Sequence, residues 1–292
     1  MKKVMPKDFI KAKREGRKLA VVTAYTHHQA RVADEAGVDG ILVGDSLGMV
    51  IMGYESTLPV TMEEVMHHLK AVLSASPRAL VIADMPFLAY EVSVAEAVRN
   101  AGSLIKAGAG AVKVEGGEEV ADIVEELVKA GIPVMGHVGL NPQRYLVRGG
   151  YRLAGKTASD AERVLRDALA LEEAGAFSVV IEFTAAEVAK KITEMLQIPT
   201  ICIGSGPFCD GQVTVFHDIL GINPEPPPFI KRFARTREMW LEALRAYVRE
   251  VREGSFPGEG MYWGMRSERD KEEFERVIND LVKRRRGSRA SP

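Results

Sequence analysis

Seven short, β-rich apolar runs alternate with helical segments along most of the chain: Leu19 to Ala24, Gly40 to Val43, Leu80 to Ala83, Ala111 to Val114, Val134 to Gly136, Ser178 to Ile181 and Thr200 to Ile203. Strands separated by helices, without hairpin signals, pair in parallel, because a parallel neighbour can be reached only through a long crossover. The joints repeat too. Ala-Gly recurs at 36–37, 107–108, 130–131 and 174–175, each time between a helical pattern and a strand, where a left-handed residue caps the helix. Capping-box pairs recur after strands at Thr61 and Glu64, Ser93 and Glu96, Ser159 and Glu162, and Thr184 and Glu187. A short eighth strand is expected at Phe229-Ile230, behind Pro226-Pro227-Pro228, and a closing helix over Met239 to Val251. Seven or eight such units favour closure into an α/β (β/α)8 TIM barrel. The rival, an open doubly wound sheet, is disfavoured by the lack of a G-x-G-x-x-G dinucleotide pattern.

A chain of 292 residues, 46% hydrophobic, is long enough for one such barrel, and a single domain over residues 1–292 is expected, with a short N-terminal segment and a basic C-terminal tail. The 39 basic and 40 acidic residues are spread along the chain, so no electrostatic footprint for nucleic acid or an anionic membrane is present. The basic run Lys283-Arg284-Arg285-Arg286 reads as a solvated helix end. The N-terminal stretch MKKVMPKDFIKAKREGRK is charged but has no apolar run behind it, which reads as neither a secretory signal nor an anchor. Cys202 and Cys209 are too few for a disulfide framework and match no zinc-site pattern, so two ordinary cysteines in a reducing cytoplasm are expected, with a redox pair as the alternative.

Chemistry in a parallel barrel sits at the carboxyl ends of the strands. The second to sixth strands are followed by Asp45, Asp84, Glu115, His137 and Glu182, so five strands in a row deliver an ionisable side chain to one rim. Taken singly, an acid after a strand is more often a turn or cap residue than a catalyst. Five together point to a site. Converging carboxylates repel one another, and a bound divalent cation removes the conflict. Oxygen ligands without cysteine suit Mg²⁺, with Asp45 and Asp84 as first ligands and Glu115 as the third, directly or through water. Lys113 lies two residues before Glu115, hence on the same strand face, and an inward lysine needs an anion: a substrate carboxylate held together with Ser46, or an internal ion pair with Glu115. Glu182 sits between Ile181 and Phe183, an apolar setting that suits a general base. His137 fits substrate orientation, proton shuttling or a structural hydrogen bond equally well. The stretch Gly44 to His68 leads from the second strand into a capped helix through a connection of about fifteen residues, long enough to be functional. Its apolar residues, Leu47, Met49, Val50, Ile51, Met52, Tyr54 and Leu58, argue against disorder.

With these residues in view, the chain resembles the ketopantoate hydroxymethyltransferase family over roughly residues 21–256. The segments that carry the likeness are GDSLGMVIMGYESTLPVT at 44–61, ADMPF at 83–87, AVKVEGG at 111–117, GIPVMGHVGLNPQ at 131–143, GGY at 149–151 and CDGQV at 209–213. The resemblance implies a phosphoenolpyruvate/pyruvate-like barrel, assembled as a homodecamer, that transfers a hydroxymethyl group from 5,10-methylenetetrahydrofolate to 3-methyl-2-oxobutanoate in pantothenate biosynthesis. By motif position it implies Mg²⁺ ligands at Asp45, Asp84 and Glu115, oxoacid contacts at Ser46, Asp84 and Lys113, and a proton acceptor at Glu182. The chain departs from the family pattern at Thr26, where Asp is usual after Ala-Tyr. It departs again at Phe183-Thr184-Ala185, where Cys-Val-Pro is usual, and at Gly258 to Met261. These changes fall in loops able to shape the second-substrate pocket. Two other readings of the same residues are a Mg²⁺-dependent 2-oxoacid lyase or aldolase, and a non-catalytic oxoacid-binding barrel.

Overall fold

The structure, a computed structural model, describes residues 2–287. It divides into two compact units, Met1–Thr236 and Arg237–Pro292. The first is a closed barrel of eight parallel strands in sequence order: β1 Leu19–Thr23, β2 Gly40–Val43, β3 Leu80–Asp84, β4 Ala111–Glu115, β5 Val134–Gly139, β6 Ser178–Glu182, β7 Thr200–Ile203 and β8 Gly211–Thr214. Its helices are α1 Pro6–Arg14, α2 His27–Glu35, α3 Leu47–Val50, α4 Met62–Leu73, α5 Val94–Ala107, α6 Ala121–Lys129, α7 Tyr145–Arg148, α8 Ala158–Glu173, α9 Ala186–Met195 and α10 Phe216–Ile219. The second unit holds α11 Thr236–Glu253, which covers the expected closing helix, and α12 Glu268–Gly287. The one-domain expectation ran to residue 292; the compact barrel unit ends at Thr236. The basic run 283–286 falls in the last turn of α12, and the tail from 288 onward lies outside the described residues.

All seven strands read from apolar runs are present, and the eighth is not where it was expected. Phe229 and Ile230 lie in a loop, and the closing strand is Gly211–Thr214, hydrogen-bonded to both β7 and β1. A four-residue strand containing Gly211 and the exposed Gln212 carries almost no apolar signal, which is why the run after the prolines looked better. Each Ala-Gly joint ends its helix with a glycine at positive φ. Thr61 and Ser93 cap α4 and α5 as expected. Two caps shift. Thr157 takes the place of Ser159 at α8, accepting from Asp160 N, while Thr184 spends its hydroxyl on Glu182 O and leaves Ala185 to open α9. Cys202 and Cys209 are disulfide-bonded, which corrects the expectation of two ordinary cysteines. In the long connection after β2, α3 buries Leu47, whereas Met49, Ile51 and Met52 stay exposed.

Two cores follow from strand alternation. Outward residues such as Ile41, Val81, Val112, Val134 and Val179 pack with the helices. Inward residues Leu19, Val21, Leu42, Leu80, Ile82, Ala111, Met135, Val180, Ile201 and Val213 fill the barrel, and α1 closes its lower mouth by setting Phe9 edge-on to Phe177 at 5.9 Å. Two residues further along the same inward faces lie Thr23, Asp84, Lys113, His137 and Glu182. The interior is therefore apolar below and charged above, and register pairing of Asp84 with Lys113, and of Glu115 with His137, sets the charges side by side.

Gly139, paired with Glu182 at the top of β5, has φ 91°. A Cβ there would collide with Glu182 O and Thr184 Oγ1, so only glycine lets β5 turn this close to the end of β6. Gly139→Ala is expected to lower stability by about 2–4 kcal/mol in denaturant unfolding, combining left-handed strain with overpacking. Unchanged stability would remove the constraint.

Candidate active site

The strand-end residues come together as one buried layer. Asp45, Asp84, Lys113, Glu115 and His137 are all buried, and Glu182 keeps 20% of its side chain exposed. Lys113 Nζ stands 3.1 Å from Asp84 Oδ1, 3.5 Å from Glu115 Oε1 and 3.1 Å from His137 Nδ1. His137 Nδ1 is 3.2 Å from Glu115 Oε1, and its Nε2 is 3.2 Å from Glu182 Oε2. Asp45 N donates to Asp84 Oδ2 at 2.9 Å. Both readings of Lys113 remain compatible with this geometry, since the ammonium pairs internally and also lines the cavity.

Burial alone would push the Lys113 ammonium down, but Asp84, Glu115 and Asp45 around it hold its pKa above the ordinary value. Burial raises Asp45 well above the carboxylate range and Asp84 above it; Asp84 and Glu115 add repulsion at Asp45, while Lys113 relieves part of the shift at Asp84. Glu115 goes the other way: burial opposes ionisation, yet His137 and Lys113 hold its carboxyl down at about 2. For His137, burial and Lys113 favour the neutral ring, but Glu115 and Glu182 outweigh them and lift it to about 9.

Sequence reasoning missed two residues, Gln143 and Tyr25. Gln143 Nε2 donates to Asp45 Oδ2 at 2.8 Å and to Met85 O at 3.0 Å, its backbone N–H reaches Glu115 Oε2 at 3.1 Å, and Tyr90 OH donates to its Oε1 at 2.9 Å. A carbonyl can only accept, so Met85 O fixes which way the amide faces. Gln143 closes the segment 131–143 that carries the family likeness, but nothing in its local pattern marks it as a hub. Tyr25, whose hydroxyl is 2.8 Å from Ser46 Oγ, follows the first strand and was within reach of the same strand-end reading. Thr26, at a departure from the family pattern, caps α2 by accepting from Gln29 N, a task Asp performs equally well.

Among the described residues, no group of three His, Cys, Asp or Glu side chains is placed to hold a metal ion by itself. The expected trio is thus not preassembled, and Glu115 is occupied by His137, Lys113 and Gln143. The donor set still fits Mg²⁺, which commonly takes one or two carboxylates and completes its shell with water and substrate oxygens. Asp84 Oδ1 is buried against the Lys113 ammonium at 3.1 Å, and the Asp45 and Asp84 carboxylates stand in mutual repulsion that a cation relieves.

The structure is similar to phosphonopyruvate hydrolase in complex with oxalate and Mg²⁺ (TM-score 0.59, 14% identity, 97% of this chain and 99% of that one covered). It is also similar to 2,3-dimethylmalate lyase, a phosphoenolpyruvate mutase/isocitrate lyase superfamily member (0.58, 17%, 88% and 91%). The fold is thus that of the phosphoenolpyruvate mutase/isocitrate lyase barrels. The family model for ketopantoate hydroxymethyltransferase matches residues 3–259. Relatives named 3-methyl-2-oxobutanoate hydroxymethyltransferase include those of Hyperthermus butylicus (58% identical, 95% of this chain and 96% of the relative) and Ignicoccus hospitalis (59%, 90% and 100%). Another is that of Pyrococcus abyssi (52%, 97% and 99%). The chain belongs to the ketopantoate hydroxymethyltransferase family.

Two outcomes are expected. Gln143→Leu removes the donor that aims Asp45, so Mg²⁺ affinity measured by calorimetry should fall about 10–100-fold, as for other residues that orient metal ligands; unchanged affinity would dismiss the role. Asp45 holds its proton more tightly folded than unfolded, so its contribution to stability is lost as pH rises through the folded-state value. In chelator, Asp45→Asn should therefore match the parent protein below about pH 4, the ordinary Asp value, and exceed it in Tm towards neutrality. A parent protein equally stable at pH 7 would show that the carboxylate carries no such conflict.

Proposed function

We propose that the chain transfers a hydroxymethyl group from 5,10-methylenetetrahydrofolate to 3-methyl-2-oxobutanoate, giving 2-dehydropantoate, the first step of pantothenate biosynthesis. Family membership supports the reaction, and the observation that carries the mechanism is Glu182. It alone in the charged layer is partly exposed, facing the cavity rather than being saturated by protein donors. Asp45 and Asp84 would hold Mg²⁺, with Glu115 reaching it through water, and the bound ion would supply positive charge to an oxoacid whose C3 becomes a carbanion. Lys113 and Ser46 bind the oxoacid, the ammonium facing its carboxylate. Glu182 takes the C3 proton. Protonated His137 at 3.2 Å then balances the charge around the base and holds it in place. The new C–C bond joins C3 to the one-carbon unit, water supplies the hydroxyl, and tetrahydrofolate leaves.

The same reading includes a cytoplasmic homo-oligomer, decameric by family resemblance. Its support is the second unit, where Trp240, Leu241, Leu244, Tyr247, Val248 and Val251 of α11 are exposed at helical spacing, a contiguous apolar face of the kind a partner subunit covers. Among the described residues no helix is long and apolar enough to cross a membrane.

The test is proton NMR of 3-methyl-2-oxobutanoate in D₂O with the protein and Mg²⁺, before and after addition of 5,10-methylenetetrahydrofolate. Loss of the C3 proton followed by folate-dependent product is expected; exchange without product would point to another electrophile, and no exchange would reject the reading. Glu182→Gln should slow exchange about 100-fold or more while oxoacid binding persists. Retained exchange would remove Glu182 as the base.

A further inference from the structure

The cavity over the barrel measures about 880 Å³, a size that suits drug-sized ligands and leaves much of its space beyond a five-carbon oxoacid. The charged layer lines one side. The other side, past the end of β8, is lined by His217 and Asp218 of α10, with Asn223 and the proline-bounded Phe229. None of these takes part in the mechanism above, yet both α10 residues are polar and more than nine-tenths buried. His217 Nδ1 has no hydrogen-bond partner, and its Nε2 reaches only Gln29 Nε2 at 3.4 Å. The Asp218 carboxylate accepts from Asn223 Nδ2 at 2.8 Å, which leaves acceptor capacity free. A buried polar atom without a protein partner is costly, and a ligand that pairs with it recovers that cost. Tyr25 is the joint between the two sides: its ring lies 5.7 Å from that of His217 and its hydroxyl contacts Ser46 Oγ.

We propose that this side of the cavity binds a planar heterocycle bearing adjacent N–H donors, the pterin ring of the folate donor, with Asp218 accepting its N–H groups and His217 Nδ1 meeting its polar edge. The inference rests on the folate reading above. A carboxylate can accept two parallel N–H bonds from an amino-lactam edge, and an imidazole with one free nitrogen can serve either polarity. Rigid walls suit a flat ring: the prolines at 226–228 restrict their own backbone, and Phe229 is fixed against Phe183 at 5.3 Å. Ring recognition at Asp218 and oxoacid recognition at Lys113 and Ser46 then place the two substrates on either side of one tyrosine.

Calorimetry on the full chain with Mg²⁺ tests this with three probes: tetrahydrofolate, 6-methyltetrahydropterin as the ring alone, and p-aminobenzoylglutamate as the tail alone. Tetrahydrofolate and the ring should bind, and Asp218→Asn and His217→Gln should each weaken both about tenfold or more. Binding of 3-methyl-2-oxobutanoate to the same preparations reports that the barrel is folded, and if one variant loses it the other decides. Tetrahydrofolate binding equally well to the parent protein and both variants would overturn this inference alone, as would binding of the tail but not of the ring. A parent protein that binds the oxoacid but neither tetrahydrofolate nor the ring would overturn the folate reading and this inference with it.

Discussion

The Lys113 ammonium is the charge on which the upper barrel depends. It is buried on β4 between Asp84 of β3 and His137 of β5, within ion-pair distance of Asp84 and Glu115. A buried ion without partners is not tolerated, and removing one member of such a pair typically costs about 3–5 kcal/mol because the remaining charge is stranded. Lys113, the two carboxylates and His137 therefore stand or fall together. Barrel closure makes this possible, since in-register parallel strands bring inward side chains to one level.

Such a layer is poor material for stability. Four carboxylates, Asp45, Asp84, Glu115 and Glu182, face Lys113 and His137, so full ionisation would leave two negative charges uncompensated even with the imidazole protonated, and burial and repulsion accordingly raise Asp45. The offset lies one layer down, where Leu42, Leu80, Ile82, Met135, Val180 and Ile201 pack together and α1 closes the base with Phe9. Each such side chain contributes roughly 1.5–3 kcal/mol on burial. The same strands thus carry the apolar residues that stabilise the barrel and, two residues later, the charges that make a site.

How much was readable follows from this. Alternation along a strand made Lys113 and Glu115 legible as neighbours, and the run-then-charge pattern gave Asp84, Glu115, His137 and Glu182 before any coordinates. Helix ends were legible where glycine was required. β8 was not, because Gly211 to Thr214 is made a strand by its two neighbours rather than by its own apolar content. Gln143 was hidden for a related reason: its partners Asp45, Met85 and Tyr90 belong to other loops, so its role exists only after closure. The expected metal trio was legible as chemistry but not as distances, since Glu115 turns towards His137 and Lys113.

The end of β6 shows how Glu182 is kept in place. Phe183, directly after Glu182, has φ 38°, a conformation that costs a non-glycine residue about 1–3 kcal/mol and persists only where its surroundings enforce it. They do so here. Phe183 N donates to Ile203 O at 2.8 Å and Ala154 N to Phe183 O at 2.9 Å, while Ser205 Oγ accepts from Thr184 N at 3.0 Å and donates to Ile181 O at 2.9 Å. Ser205 lies in the loop bracketed by the Cys202–Cys209 bond, so that segment braces the end of β6. The Phe183 ring is also the contact to Phe229 in the cavity wall. One residue thus fixes the backbone beneath Glu182 and reaches the wall of the opposite side. A change there would move Glu182 and the cavity wall at Phe229 together, so the two ends of the cavity are coupled through one backbone position.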